Sequence, residues 1–192
     1  MTQRELAGET HRVLPAEVAR RRARWHRIGV SYELRGLAGL HEVAVQAADE
    51  AGVTAVELPQ GYALVPITPQ VFDRLGGGEG RPFGDAFWFL SSGVEALARR
   101  VSHTSPIAYL EAEMFGGAGT QATVAWRHGE VWAGPATTKF GWPPPDPASS
   151  PQWAFNQVLR KLGVDRGEAF DEFGALDLGK HRHTENWPVK TR

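Results

Sequence analysis

Residues 106–134 constrain the fold more than any other part of the chain, because apolar and polar side chains alternate through them. A period of two is typical of β-strands, whose successive side chains point to opposite faces of a sheet. Glycine-containing turns at 115–120 and at His128-Gly129 interrupt the alternation at spacings that suit tight hairpins. The segment therefore predicts three consecutive antiparallel strands.

The rest of the chain mixes helical and strand patterns around this meander. Helices are predicted over 37–51, 68–76, 92–101 and 150–163, where apolar residues recur every three or four positions. Strands are predicted near 28–33 and over 53–58, 62–67 and 87–90. This order predicts an α+β fold, a mostly antiparallel sheet with helices packed on one face.

The sequence predicts an N-terminal arm before the main domain and an exposed excursion within that domain. Residues 1–27 form a polar, basic arm with a predicted helix from Pro15 to His26, and residues 28–192 form a single α+β domain. Within that domain, residues 141–151 contain five prolines and predict an extended, exposed excursion, since proline cannot continue a helix.

Composition excludes several classes of function. The 192 residues contain no cysteine, which removes disulfide scaffolds, thiolate metal sites and cysteine nucleophiles. Acidic (22) and basic (21) side chains nearly cancel, so no overall field attracts a polyanion. No apolar run is long enough to span a bilayer, and the N-terminus lacks the apolar core of a secretory leader. We therefore expect a cytoplasmic protein without a membrane partner.

Glu111 and Glu113 are the first candidates for chemistry. As alternate residues of a strand, their carboxylates project from one face and can share a cation or act as acid and base. The competing interpretation, which we favour, is the water-facing side of a half-buried sheet, which alternation in this stretch produces without any function.

The tail offers a second group, His181, His183 and Glu185. A His-x-His pair can place both imidazoles on one side, as some metal sites and acid–base sites require. A metal-dependent or acid/base hydrolase would need these side chains to meet Glu111 and Glu113. The competing interpretation is a surface turn, and we expect neither a metal nor a cofactor.

Arginines and tryptophans suggest binding rather than catalysis. Arg20 to Arg27, with Trp25 among them, can contact phosphates and stack on bases, which makes nucleic-acid binding an alternative function. Successive arginines, however, spread around a helix instead of lining one face. Arg22, Trp25 and Trp142 are the predicted partner-binding residues, Trp142 because the prolines beside it resist burial.

Two blocks carry a resemblance to known proteins. AYLEAEMFGGAGTQATVAW (108–126) and FDEFGALDLGKHRHTENW (170–187) resemble blocks of short uncharacterised bacterial proteins, some of which look like immunity partners of secreted toxins. The resemblance implies a cytoplasmic protein-binding role and carries no catalytic residue. The sequence thus predicts a non-catalytic protein-binding protein, with a toxin as a possible partner.

Overall fold

A six-stranded antiparallel sheet forms the centre of the molecule. The computed structural model describes residues 31–78, 80–142, 145–188 and 190. Its strands are β1 (Ser31–Leu40), β2 (Val56–Glu57), β3 (Tyr62–Pro66), β4 (Ile107–Phe115), β5 (Ala118–Arg127) and β6 (Glu130–Phe140), in the order β2-β3-β1-β4-β5-β6. The N-terminal arm, with its predicted sites at Arg20 to Arg27, Arg22 and Trp25, lies outside the described residues.

The predicted meander is confirmed as β4, β5 and β6. Its two turns lie where the sequence places them, since Phe115 pairs with Ala118 and Arg127 with Glu130. β6 continues to Phe140, beyond the predicted end of the third strand, because Ala136 to Phe140 pair with Gly119 to Thr123.

Helices cover both faces of the sheet. α1 (His41–Glu50), α2 (Pro69–Arg74) and α3 (Ser92–Val101) contribute to one apolar cluster, with Tyr109 and Trp126. α4 (Ala154–Leu162) packs in a second cluster with Leu110 and Ala125, and α5 (Glu172–Ala175) contacts α4. The α+β class and the antiparallel sheet are confirmed, but the helices are not confined to the one face that the sequence predicted.

The reason for this two-sided packing lies in β4. All its residues from Ile107 to Ala112 are buried, so both of its alternate faces need a cover. Ile107 and Tyr109 face the α1–α3 layer, and Ala108, Leu110 and Ala112 face the α4 layer. A central strand of this kind belongs to a three-layer arrangement.

The start of the first helix differs from the prediction. The helix predicted from Leu37 begins at His41, because Leu37 to Leu40 extend β1 and pair with β3, and Leu37 to Gly39 also pair with β4. The helix predicted over 92–101 is confirmed as α3, and its N-cap is Ser91, whose hydroxyl accepts a hydrogen bond from the Val94 N–H at 3.3 Å.

The strand predicted at 87–90 is absent. These residues follow a 3-10 turn (Gly84–Ala86) and run as irregular backbone over the α1–α3 face of the sheet. Their backbone N–H groups at Trp88 and Phe89 bind the Glu111 carboxylate instead of a neighbouring strand. Apolar content alone does not distinguish such a segment from a buried strand.

Gly93 allows α2 and α3 to approach each other, and its replacement tests this packing. A Cβ at Gly93 would lie 1.6 Å from the Leu75 carbonyl oxygen. Gly93→Ala should therefore lower the free energy of unfolding by about 1–3 kcal/mol, although alanine is the better helix former. Urea unfolding measures this, with Gly78→Ala as the control because nothing lies within 4 Å of that site. A Gly93→Ala variant with the same free energy of unfolding as the native chain would contradict the close approach of the two helices.

Candidate functional site

The two candidate carboxylates on β4 lie in different environments. Glu111 is 5% exposed, whereas Glu113 is exposed to solvent. The expectation that both face water is therefore wrong for Glu111. Its side of the sheet is not bare, because the segment at 87–90 covers it.

Three donors from the protein converge on the Glu111 carboxylate. The Trp88 N–H donates to Oε1 at 2.7 Å, and the Phe89 N–H donates to Oε2 at 3.0 Å. The Tyr109 hydroxyl donates to Oε2 at 3.0 Å. Hydrogen bonds to a charged acceptor are stronger than neutral ones. Glu111 therefore holds the 87–90 segment onto the sheet.

Arg35 completes this buried polar cluster. It pairs with Glu111 across β1 and β4 and is 5% exposed. Its guanidinium lies 3.1 Å from Oε2 of Glu33, and its Cζ lies 3.3 Å from the centre of the Phe89 ring. Phe89 is thus held twice, by its backbone on Glu111 and by its ring on a cation.

Burial dominates the acid–base properties of the cluster. It raises the pKa of Glu111, while the N–H groups of Trp88 and Phe89, the charge of Arg35 and the Tyr109 hydroxyl act to lower it. Burial, together with the neighbouring Glu111, also raises the pKa of Tyr109. A buried carboxyl group with a raised pKa can serve as a proton carrier or as a structural anchor.

The predicted histidines belong to a tail segment that lies beside β1, the strand that pairs with the Glu111 strand. The tail lies along β1, where the Glu33 N–H donates to the Arg182 carbonyl at 2.7 Å and the Arg35 N–H to the Thr184 hydroxyl at 3.0 Å. The His181 ring packs edge-on against Trp187, with 4.7 Å between ring centres.

The described part of the chain contains no group of three or more His, Asp or Glu residues arranged to hold a metal ion. His183 is half-buried and Glu185 is exposed. Neither is among the hydrogen-bond partners of the Glu111 carboxylate, which are Trp88, Phe89 and Tyr109. A hydrolase that uses these acids and imidazoles together therefore stays a prediction.

Sequence reasoning missed most of the cluster around Glu111. Arg35 stands in the strand-like stretch SYELR, where the adjacent alternate residue Glu33 is its ion-pair partner. Two opposite charges at alternate positions of one strand were the signal in the sequence that could have indicated an ion pair there. Nothing local indicates that the Trp88 and Phe89 backbone binds a side chain more than twenty positions away.

Trp142 occupies the exposed position that the sequence predicts for it. Its side chain is 91% exposed. On one side the chain is fixed by Phe140, which is buried and packs edge-on against Trp153 at 5.1 Å. On the other, the Asp146 carboxylate accepts a hydrogen bond from the Ala148 N–H at 2.9 Å and caps a 3-10 turn (Pro147–Gln152).

A second exposed aromatic residue, Phe170, lies on a segment connected to this excursion. Phe170 is 62% exposed and precedes the buried Asp171. The buried Asn156 amide donates to the Ser150 carbonyl at 2.8 Å and to the Asp171 carboxylate at 3.0 Å. Asn156 thus joins the base of the excursion to the turn that presents Phe170.

Comparison with models of known protein families, with curated proteins and with solved structures found no significant match to this chain. Within the described residues, no helix has the length and apolar character needed to cross a membrane.

The raised pKa of Glu111 predicts how stability depends on pH. The folded state holds the Glu111 proton more tightly than the unfolded chain, whose carboxyl has an ordinary pKa of 4.5. The free energy of unfolding of the native chain should therefore fall, relative to that of Glu111→Gln, as the pH rises above 4.5. The decline ends once the pH passes the raised pKa.

Denaturant unfolding over a pH series measures this difference. Glu113→Gln removes an exposed carboxylate from the same strand and is the matched control. A difference between the native chain and Glu111→Gln that does not vary with pH would contradict the raised pKa.

The anchoring role of Glu111 makes a separate prediction for hydrogen exchange. In Glu111→Ala the N–H groups of Trp88 and Phe89 lose their acceptor, so their exchange should become at least about tenfold faster. Amide-resolved NMR exchange detects this, with Glu113→Ala as the control. Equal protection of both amides in the two variants would show that other contacts hold the segment.

Proposed function

We propose that the protein is a non-catalytic binding protein that recognises another protein through Trp142. The exposure of this indole carries the proposal. Among the large apolar side chains exposed on the described residues, Trp142 has the greatest exposed fraction, 91%. An exposed tryptophan gains more from burial in a partner than any smaller side chain, and tryptophans are enriched among the residues that dominate binding energies.

The fixed ends of the excursion support the same role. Phe140 packs on Trp153 before the indole, and the Asp146-capped turn follows it. A side chain that closely follows a fixed backbone position, as Trp142 follows Phe140, loses less conformational entropy on binding. Phe170, on the segment joined through Asn156, is a second exposed apolar side chain that a partner can contact.

A toxin is the narrower form of the proposed partner. It follows from the resemblance of residues 108–126 and 170–187 to bacterial proteins that look like immunity partners. In this form the protein acts in the cytoplasm by covering a surface of the toxin. Phe170 lies within the second of these blocks, while Trp142 lies between the two.

Site-specific photo-cross-linking in the organism that encodes the chain tests the proposal. A photoreactive phenylalanine analogue at position 142 should give one predominant protein adduct at physiological salt. The same analogue at the exposed Glu42, in α1, is the control because α1 begins at the other end of the sheet. An adduct of equal yield from both positions, or none from position 142, would contradict the proposal.

Affinity measurements with the captured partner then show whether binding depends on Trp142 in particular or on any exposed tryptophan. Trp142→Ala should weaken binding by about 30-fold, the loss of about 2 kcal/mol typical of a dominant interface residue. Trp88→Ala is the matched control, since Trp88 is also exposed but lies over the α1–α3 face. Equal losses in both variants would remove Trp142 from the interface.

A further inference from the structure

A small cavity lies between α4 and the β5–β6 hairpin, on the face of the sheet away from Glu111. Its volume is about 130 Å³. Thr123 and Ala136 line the strand side, Val158 lines the helix side, and Lys161 lies at the rim. It is separate from the Trp142 excursion and from the buried cluster at Arg35.

The cavity results from an irregularity of the sheet. The pairing of β5 with β6 shifts register between Thr123 and Ala125 and again before Trp126. Gly134, at the first of these shifts, has no side chain, and a Cβ there would lie 2.7 Å from the Thr123 carbonyl oxygen. The small side chains of Ala133 and Ala136 beside it leave the space beneath α4 unfilled.

The rim of the cavity is positively charged. The Lys161 ammonium lies 5.6 Å from the centre of the Trp132 ring, and the Arg127 guanidinium carbon lies 5.7 Å from the same centre. In the described part of the chain neither cation forms a salt bridge, whereas the adjacent Arg160 pairs with Glu172 at 2.7 Å. The site therefore combines a wall of alanine, glycine and valine, with Thr123 and Gln157 as its uncharged polar members, and the Lys161 ammonium, which has no salt-bridge partner among the described residues.

We infer that this cavity binds a small monocarboxylate with a short apolar chain. The carboxylate lies at Lys161, and the chain enters the space between Ala136 and Val158. An apolar cavity of about 150 Å³ accepts a benzene molecule, so the space here suits a chain of about six carbons. A peptide terminus fits less well, because its backbone needs hydrogen-bond partners, and the Thr123 hydroxyl and Gln157 amide of the wall already donate to the Tyr109 and Gln152 carbonyls.

Titration of the ¹⁵N-labelled full chain with hexanoate tests the inference. Chemical-shift changes should saturate at hexanoate concentrations of about a millimolar, as expected for a ligand of this size. They should be concentrated at residues 133–136 and 157–161. Hexanol and hexylamine have the same chain without the negative charge, and they should bind at least about tenfold more weakly. Changes spread over the whole surface, or equal binding of hexanol, would overturn the inference.

Variants of the rim and the interior complete the test. Lys161→Met keeps the aliphatic stem and should weaken hexanoate binding by about tenfold. Lys139→Met, at an exposed lysine of β6 that does not line the cavity, should leave binding unchanged. Ala136→Leu should fill the cavity and abolish binding. If that variant does not fold, the two lysine variants still decide, since equal losses in both would overturn the inference.

A short peptide that ends in leucine, prepared in free-acid and in amidated form, tests whether the cavity binds a peptide terminus instead. We expect hexanoate to bind at least as tightly as either form. Tight binding of the free-acid peptide without binding of hexanoate would overturn it in favour of a peptide terminus.

Discussion

The structure depends on the need to cover β4 on both faces. A strand whose residues are buried from Ile107 to Ala112 has no side left for water, so the chain must supply a layer above the sheet and a layer below it. The α1–α3 layer comes from the segments before β4, and the α4–α5 layer from those after β6. The order of the elements along the chain thus decides which face each helix covers.

The same constraint explains why a glutamate can lie in the core. Glu111 occupies an alternate position of β4 on the α1–α3 face, where a charge would be costly without compensation. The compensation comes from backbone N–H groups of an irregular segment and from Arg35 on the adjacent strand. Because the 87–90 segment satisfies its N–H groups on a side chain, it needs no strand partner. The buried charge and the missing strand are therefore one feature of the fold.

Local patterns predicted the elements whose stability is local. The meander and its turn at His128-Gly129 depend on residues close in sequence, and the structure contains both. Leu37 to Leu40 satisfy a helical and a strand pattern equally well, and only pairing with β3 and β4 decides between them. The burial of Glu111 depends on contacts with residues more than twenty positions away in the sequence. The alternating pattern therefore predicted which face of the strand carries Glu111, but not that this face is covered.

The residues proposed for function lie near β6, at the edge of the sheet, where the strand no longer needs a cover on both faces. β6 is an edge strand, and a long edge of this kind invites pairing with another chain. Its register shifts and Pro135 interrupt the regular array of backbone groups that strand addition requires. The recognition proposed for this edge therefore uses side chains instead of backbone. The cavity beside Lys161 lies at the irregularity that protects the edge from pairing, and the Trp142 indole follows the last residue of β6 by two positions.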